Sequence, residues 1–321
     1  MFFTSRIARL ASATAIVILT ACSGTASNST GPFTPAIRSG APANGMLARS
    51  WMSPLAKGSL LAYVSDYNNG VVYAYTYPAG QLVGAIYGAG VRGMCRNQAG
   101  QIWITYGSGA VKLYAPGGWT PLKALLVKGY DPLGCAVNPK TGDLAVSNLN
   151  GAKGGRGSIT IFTNASGKGK TFLDSVIYYF DFVAYDASGN LFADGQDNGN
   201  PKKFHLAKFS AGKFTAITVK GATINAPGGV QFYSKDLTVG DQAAAGGASI
   251  VYRMYEDGHV IGKSVLNGSA DCVQYFIYSS SLVCPNASGP NAVIYKYPAG
   301  GDPTKTLPGS FSLPIGAVIT M

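Results

Sequence analysis

The sequence predicts an all-β protein, a six-bladed β-propeller whose N-terminal blade is completed by the C-terminal strand. Three observations lead to this fold class. Glycine accounts for 43 of 321 residues, and the apolar residues stand in short runs with Tyr, Val, Ile and Thr, which favours strands joined by tight turns. A pattern of strands recurs along most of the chain. After the N-terminal leader, no segment shows a 3.6-residue apolar period with caps, so almost no helix is expected.

The recurring pattern is clearest from Asp131 to Gly167, where two short strands, a Gly-rich loop and a third strand follow one another. Second strands of the copies end at residues 66, 106, 148, 195, 241 and 286, so the spacings are 40, 42, 47, 46 and 45 residues. A unit of this length with several strands is typical of a propeller blade. The aligned second strands are Ala62–Asp66, Ile102–Tyr106, Leu144–Asn148, Leu191–Gly195, Leu237–Asp241 and Leu282–Asn286.

The phase of the repeat predicts how the ring closes. The first unit begins at its second strand, near Leu60, and lacks a first strand. The chain ends in Leu313–Thr320, which has the pattern of a first strand without successors. Pairing these two segments would complete the first blade and remove two exposed sheet edges. Five whole units and this composite unit make six blades.

Turn sequences within residues 60–321 resemble NHL repeats. The clearest are Asp186–Phe192 (DASGNLF) and Asn97–Trp103 (NQAGQIW), in which a polar turn with a glycine leads into an apolar strand. The resemblance implies a propeller. It implies nothing about a ligand, because one fold serves many functions.

The N-terminal residues predict export and a lipid anchor. Arg6 and Arg9 precede an apolar run, Ala11–Leu19, which is too short to span a bilayer comfortably and fits a signal peptide. The run ends in Leu-Thr-Ala-Cys, which resembles the lipobox of bacterial lipoproteins. This resemblance implies cleavage before Cys22 and acylation of its thiol. An ordinary secretory leader is the alternative.

Three regions are therefore expected: a lipoprotein signal peptide (1–21), the acylated Cys22 with a flexible tether (22–57), and the propeller (58–321). The tether is rich in Ser, Thr, Pro, Ala and Gly and has too little apolar surface to order itself. Trp51 and Met52 are the exception and are expected to pack onto the first blade. Ser23 stands where, by resemblance to enterobacterial lipoproteins, an Asp would retain the protein in the inner membrane. An outer-membrane or cell-surface location is therefore favoured.

The net charge limits the kinds of partner that the protein is expected to bind. The formal net charge is +11, and without Arg6 and Arg9 of the leader 23 basic and 14 acidic residues leave +9. The basic residues are scattered, which favours solubility near an anionic surface over nucleic-acid binding. A preference for acidic glycans or phospholipid head groups is the sharper interpretation. We expect a monomer that meets the membrane through its lipid and does not bind nucleic acid.

Four cysteines besides Cys22 invite pairing in an exported protein. Cys272 and Cys284 fall on the first and second strands of one blade, so a cross-strand bridge is plausible. Cys95 and Cys135 occupy the same position in neighbouring blades, where first strands converge on the axis. Buried free thiols are the alternative for each pair, because sequence does not fix the geometry.

Polar residues end the second strands and are expected on one face of the propeller, around the mouth of its axis. One interpretation is a ring that binds a small ligand or a partner loop. The other is that these side chains terminate strands and hydrogen-bond turn amides. The candidate ring contains Asp66, Tyr106, Asn148, Asp194, Asp241 and Asn286, with Arg92, Asp131 and Asp181 nearby.

These features favour a non-enzymatic binding or scaffold module on the cell envelope, with an envelope protein or glycan as partner and no cofactor beyond the lipid on Cys22. The alternative is a metal-dependent hydrolase or lyase, similar to propeller lactonases, with an ion such as Ca²⁺ at the axial mouth. The ring offers Asp and Asn as ligands. The two histidines, His205 and His259, are predicted at the blade periphery. We therefore predict neither a catalytic residue nor a metal ligand.

Overall fold

The structure, a computed structural model, describes residues 49–244 and 246–320. The predicted signal peptide, Cys22 and most of the predicted tether lie outside the described residues. Within them the chain forms six antiparallel sheets, which we number as blades 1 to 6. Helix is limited to three single 3-10 turns, Pro54–Ala56, Ala152–Gly154 and Thr163–Ala165. The expected near-absence of helix is thus confirmed for the described residues.

The blades follow one another along the chain, except that the last strand returns to the first blade. Blade 1 contains β1 (Trp51–Met52), β2 (Leu61–Asp66), β3 (Val71–Thr76), β4 (Leu82–Tyr87) and β25 (Pro314–Ile319). Blade 2 contains β5 (Val91–Arg96), β6 (Ile102–Tyr106), β7 (Ala110–Tyr114) and β8 (Pro121–Leu126). Blade 3 contains β9 (Tyr130–Val137), β10 (Leu144–Gly151), β11 (Ser158–Phe162) and β12 (Lys170–Phe172).

The remaining three blades have the same order of strands. Blade 4 contains β13 (Tyr179–Tyr185), β14 (Leu191–Gln196), β15 (Phe204–Ser210) and β16 (Lys213–Ile217). Blade 5 contains β17 (Pro227–Tyr233), β18 (Asp236–Asp241), β19 (Ser249–Met254) and β20 (Val260–Leu266). Blade 6 contains β21 (Phe276–Tyr278), β22 (Ser281–Asn286), β23 (Asn291–Lys296) and β24 (Lys305–Leu307).

The first strands of the blades form the inner wall of a closed ring. Neighbours along this wall are β25, β5, β9, β13, β17 and β21, and β21 contacts β25 again. Apolar clusters fill the seams between blades, as in the seam of blades 1 and 2, where Leu61, Tyr63 and Val72 pack with Ile102 and Ile104. Because alternate residues of a strand point to opposite faces of its sheet, each blade supplies side chains to two seams. The predicted six-bladed β-propeller is confirmed.

The ring is closed by the pairing of β25 with β2. Tyr63 pairs with Val318 and Ser65 with Gly316, in antiparallel register. Ile315, Val318 and Ile319 are fully buried. Burying each side chain of this size stabilises the folded state by about 1.5–3 kcal/mol, so β25 is held firmly in the first blade. The structure fits the predicted closure by the C-terminal strand.

The chain enters the disc at its rim. Trp51 and Met52 form β1, which pairs with Ala85 and Gly84 of β4 and so adds a fifth strand at the outer edge of blade 1. Met52 packs against the cluster between blades 1 and 2. The end of the predicted tether therefore belongs to the first blade, as expected for Trp51 and Met52.

Both pairs of cysteines form disulfides. Cys95 of β5 is bonded to Cys135 of β9 and joins blades 2 and 3, and Cys272 is bonded to Cys284 within blade 6. The Cα atoms are 5.5 Å apart in each pair, inside the usual range for a disulfide. The predicted pairings are confirmed over the alternative of free thiols.

Candidate functional site

Five of the six predicted ring residues lie at equivalent positions, each at or near the end of a second strand and opposite the start of a first strand. Asp66 is paired with Pro314 and Asp241 with Pro227. We call this side of the disc the ring face. The exception is in blade 4, where Gly195, paired with Phe180, holds the strand-end position. Asp194 therefore lies on β14 one residue before the strand-end position. The five equivalent residues are Asp66, Tyr106, Asn148, Asp241 and Asn286.

The strand-end side chains are buried and bonded to neighbouring backbone and side chains. Asp66 is fully buried and accepts hydrogen bonds from the amides of Asn69 (3.0 Å) and Ser312 (2.6 Å). Asp241 accepts from the amides of Ala226 and Ala243, both at 3.1 Å. These carboxylates thus fix the loops that lead into and out of the strands. This agrees with the second interpretation of the ring, in which the side chains end strands and hydrogen-bond turn amides.

The remaining strand-end residues make contacts of the same kind. The Asn148 amide donates to the hydroxyls of Ser158 and Thr160, both at 3.0 Å. Asn286 accepts from the Asp271 amide at 3.3 Å, and the Tyr106 hydroxyl lies 2.8 Å from that of Tyr114. Each of these side chains binds its own blade or an adjacent loop.

Arg92 and Asp131 form an ion pair on the ring face. Nη1 of Arg92 lies 2.9 Å from Oδ2 of Asp131, and the Arg92 side chain is 2% exposed. The guanidinium also stacks over the ring of Tyr67 at 5.2 Å. The ion pair joins the first strands of blades 2 and 3 at their start, so two of the three residues predicted beside the ring contact each other.

A belt of side-chain oxygens, which we did not predict from the sequence, links the blades next to the axis. The Ser65 hydroxyl accepts from the Gly316 amide and donates to the Arg92 carbonyl of the next blade. Ser147 does the same between Gly134 and the Asp181 carbonyl, at 2.9 and 2.7 Å. Thr105 donates to the Leu133 carbonyl at 2.8 Å.

Backbone amides make the equivalent links at two other seams. Gly229 donates to Val273 at 2.7 Å, which joins blades 5 and 6. Gln274 donates to Ile315 at 2.8 Å, which joins blades 6 and 1. Because the acceptors lie in the first strands or, for Val273, in the segment that leads into β21, the links form a nearly continuous belt around the axis.

Asp194 occupies the belt position in blade 4. Its Oδ1 accepts from the Phe182 amide at 2.8 Å, as Ser65 and Ser147 accept in their blades. Its Oδ2 is buried without a hydrogen-bond partner, and so is Oδ2 of Asp181. Burial raises the pKa of the Asp194 carboxyl well above its usual range, and the charge of Asp181 raises it further. Burial also raises the pKa of Asp181, against the attraction of Lys202.

Replacing Asp194 with Asn should make the protein more stable at neutral and alkaline pH. Since the folded pKa lies above the usual 3.8, the unfolded state loses its proton first as the pH rises above about 4, and stability falls. Asn keeps the acceptor for the Phe182 amide and carries no charge, so we expect a gain of about 1 kcal/mol or more at pH 8. Chemical unfolding at pH 4 to 8 measures this difference.

One further variant serves as the control for that comparison. Asp257→Asn is the control, because Asp257 is exposed, accepts from the His259 amide at a turn and forms only a solvent-exposed ion pair with Lys220 at 3.6 Å. This variant keeps Asp194 and Asp181 and should therefore show the same fall in stability between pH 4 and 8 as the wild type. Asp181 keeps titrating in the Asp194→Asn protein and should leave part of the pH slope. A wild-type protein whose stability rises from pH 5 to 8 would contradict the raised pKa values of Asp194 and Asp181.

The first strands approach one another most closely at glycines beside the axis. A Cβ atom at Gly93 would lie 2.3 Å from the Leu133 carbonyl oxygen, and one at Gly316 would lie 2.8 Å from Oε1 of Gln274. The Gln274 side chain reaches across to blade 2, where it accepts from the Met94 amide at 2.8 Å and donates to the Met94 carbonyl at 2.9 Å. Gln274 therefore fills space that glycines leave on the neighbouring strands.

A cavity of about 220 Å³ lies at the axis, lined by residues at or near the ends of β5, β9, β13 and β17 and by residues 274–276, which lead into β21. It is on the side of the disc opposite the ring face, and we call that side the cavity face. Five blades supply its wall, in which most residues, including the disulfide-bonded Cys95 and Cys135, are apolar in type, while about half of the surface facing the cavity is polar. The lining residues with polar side-chain groups besides this disulfide are Arg96, Tyr185, Gln231, Gln274 and Tyr275.

Most of these polar groups are already engaged in the protein. Gln231 donates to the Ile277 carbonyl and accepts from the Ile277 amide, both at 2.8 Å, and Gln274 is bound to Met94. The Tyr275 hydroxyl donates to Thr238 at 2.9 Å. Arg96 differs, because among the described residues only its Nη1 has an acceptor, the Ile319 carbonyl at 3.0 Å.

Sequence comparisons give no assignment, and structural comparisons give the fold. No family model matches the sequence, and no curated protein matches it. A chain in the crystal structure of a nidogen/laminin complex has a TM-score of 0.65 at 12% identity, over 82% of this chain and 99% of that one. A Bacteroides caccae protein of unknown function has a TM-score of 0.59 at 13% identity, with the same coverage. Hydrazine synthase of Kuenenia stuttgartiensis gives 0.57 at 13% identity, covering 78% and 83%.

At these identities the likeness shows a shared β-propeller architecture. Within residues 49–244 and 246–320, no three His, Cys, Asp or Glu side chains are grouped so that they could hold a metal ion. The same part of the chain contains no helix with the length and apolar character needed to cross a membrane. His205 is on β15, the third strand of blade 4, and lies 3.4 Å from Asp197. His259 directly precedes β20, the outermost strand of blade 5, and stacks with Tyr255. Both histidines therefore lie away from the first strands that line the axis.

Proposed function

We propose that this protein is a lipid-anchored β-propeller of the cell envelope that acts as a monomeric, non-enzymatic binding or scaffold module, with blades of NHL type. One observation carries the binding role. The polar side chains at the strand ends are buried and hold loops in place, as Asp66 and Asp241 do. The disc thus offers a rigid frame with an axial cavity on one face.

Three further features support the envelope location and the binding role. Two disulfides fit an oxidising compartment outside the cytoplasm. The chain enters the disc at the rim through β1, so a tether from Cys22 would hold the disc by its edge. A chain of similar fold occurs in a nidogen/laminin complex, a protein assembly, which suggests an envelope protein or a glycan as partner here.

The anchor is tested by mass spectrometry of the protein expressed in a bacterial host. We expect an N-terminal peptide that begins at Cys22 and carries acyl chains, and recovery of the protein in the membrane fraction. Cys22→Ser should abolish both. A wild-type protein that is cleaved elsewhere, or that is released without lipid, would refute the anchor and leave the binding role to be judged separately.

The binding role is tested by crosslinking in intact cells. The anchored protein should give a defined crosslinked species, and the same species should form with purified protein and the isolated partner or glycan. Turnover of lactones or esters by the purified protein, without such a species, would contradict the proposal.

A metal-dependent hydrolase or lyase is the second candidate, and one observation favours it. Asp181 and Asp194 are buried near each other and each leaves a carboxylate oxygen without a partner. Carboxylate oxygens are ligands for Ca²⁺, which usually takes six to eight oxygen ligands, so this pair would need further donors. Stoichiometric Ca²⁺ in the purified protein, lost on Asp194→Ala, would favour the enzyme over the binding module.

A further inference from the structure

The cavity of about 220 Å³ on the cavity face has the composition of a binding site for a small organic anion. Its lining contains one charged residue, Arg96, and no Asp or Glu. In the part of the chain that the structure describes, no carboxylate lies within ion-pair distance of Arg96. Residues 49–244 and 246–320 therefore leave the cationic group of the cavity without a counter-charge.

The Arg96 guanidinium is held in place by groups that leave most of its donors free. It stacks over the rings of Phe276 and Tyr278, with its central carbon 5.3 and 5.6 Å from their centroids. Nη1 donates to the Ile319 carbonyl at 3.0 Å, and Nε and Nη2 have no hydrogen-bond partner among the described residues. An arginine has five N–H donors in a planar fork that matches a carboxylate, so the remaining donors suit that group.

Burial makes this arrangement costly for the protein alone. Partial burial lowers the pKa of Arg96, opposed by the nearby Tyr278. Arginine stays protonated all the same, so it keeps a charge that is partly removed from water. A bound anion would offset this desolvation, which gives the site a preference for anionic ligands over neutral ones.

The wall and the volume limit the rest of the ligand. Val183 and Val230 contribute apolar surface from blades 4 and 5, and Phe276 contributes an aromatic ring from blade 6. An apolar cavity of about 150 Å³ accommodates benzene, so about 220 Å³ accommodates an aromatic ring with one small substituent. Drug-sized ligands usually occupy larger cavities than this one.

We propose that the axial cavity binds small aromatic or branched carboxylates, with the carboxylate on Arg96 and the apolar body against the first strands of blades 3 to 6. This inference names a ligand class for the proposed binding module. It does not depend on the lipid anchor, so failure of either proposal leaves the other intact.

The test uses benzoate and the full chain carrying Cys22→Ser, which prevents acylation. Isothermal titration calorimetry should show one benzoate per chain. Benzamide has the same shape without the charge and should bind at least about tenfold more weakly, because a hydrogen bond to a charged group is lost. Acetate, which lacks the ring, should also bind more weakly.

Arginine variants locate the anion. Arg96→Met should weaken benzoate binding at least about tenfold, and Arg96→Lys should retain part of it. Arg156→Met is the matched control, because Arg156 also stacks on a tyrosine, Tyr178, and donates to backbone carbonyls, but it lies outside the cavity. The thermal transition of each variant shows whether it is folded.

Methionine methyl resonances locate the ligand independently of these substitutions. Met94 lines the cavity and its resonance should shift on addition of benzoate, whereas Met254, buried between other strands, should not respond. Absence of benzoate binding at millimolar concentration would overturn the proposal. Equal affinity for benzamide, unchanged affinity in Arg96→Met, or binding that leaves Met94 unshifted would overturn it as well.

Discussion

Ile315→Asp is expected to abolish the folded state at neutral pH. Ile315 is fully buried on β25 and belongs to a cluster with Leu133 and Phe182 of two other first strands and with Val273, which precedes β21. An aspartate there would lose the apolar contacts and place an unpaired charge in the centre of the disc. Each of these changes costs several kcal/mol, and together they are comparable to the whole stability of a typical domain.

The loss should also open the ring, because β25 is the strand that joins the chain ends. We expect the variant to be insoluble, or to lack near-ultraviolet circular dichroism and a cooperative thermal transition. Leu126→Asp makes a comparable change on β8, where the leucine is 62% exposed, and should alter the free energy of unfolding by less than about 0.5 kcal/mol. A soluble Ile315→Asp protein with a wild-type transition would mean that β25 does not close the propeller.

The fold could be predicted because the information for it repeats. Second strands that end at Asp66, Asn148 and Asp241 recur at intervals in the forties, so a weak pattern in one blade is reinforced by the others. The phase of the repeat then places a first strand at the C-terminus. The same alignment puts Cys95 and Cys135 at one position of adjacent blades, which made their disulfide predictable.

The candidate ring was predicted less well, for a reason that lies in the backbone of the first strands. In five of the six blades the first strand has a register shift near its start, as between Phe180 and Val183, so alignment by second strands alone does not show what each side chain faces. Asp194 was placed with Asp66, although it is equivalent to Ser65 and Ser147. Sequence also could not show that the strand-end side chains are buried.

The inner belt left a signal in the sequence that was overlooked. Ser65, Thr105 and Ser147 immediately precede the strand-end residue in three successive copies. A hydroxyl repeated at one position of a buried strand needs a hydrogen-bond partner, and in a closed ring the adjacent first strand is the nearest source. The other blades use glycine, proline or aspartate there, which hid the regularity.

The axial cavity could not be predicted from the sequence. Its wall takes a few residues from each of five first strands, and the apolar ones do not differ in type from ordinary core residues. Arg96 is one basic residue among 25. Its distinction is that no carboxylate of the described residues lies within ion-pair distance, which depends on how distant parts of the chain come together.

Removal of the disulfide between blades 2 and 3 is expected to have the second largest effect on stability. Cys95 and Cys135 are 40 residues apart. In the chain-entropy description, closing a loop of this length lowers the entropy of the unfolded chain and so raises its free energy by about 4 kcal/mol. Cys272 and Cys284 are only 12 residues apart, for which the same description gives about 3 kcal/mol. Cys95→Ala/Cys135→Ala should therefore be the less stable of the two double variants.

Guanidinium unfolding of the two variants, with and without a reductant, measures this order. Reductant should destabilise each variant only by the contribution of the disulfide that it retains, and the wild type by both. The order has a structural reason as well, because Cys95 and Cys135 join separate blades whereas Cys272 and Cys284 join segments already paired through Asn286. Equal losses in the two variants would mean that the hydrogen-bonded belt and the apolar seam already hold blades 2 and 3 together without the covalent bond.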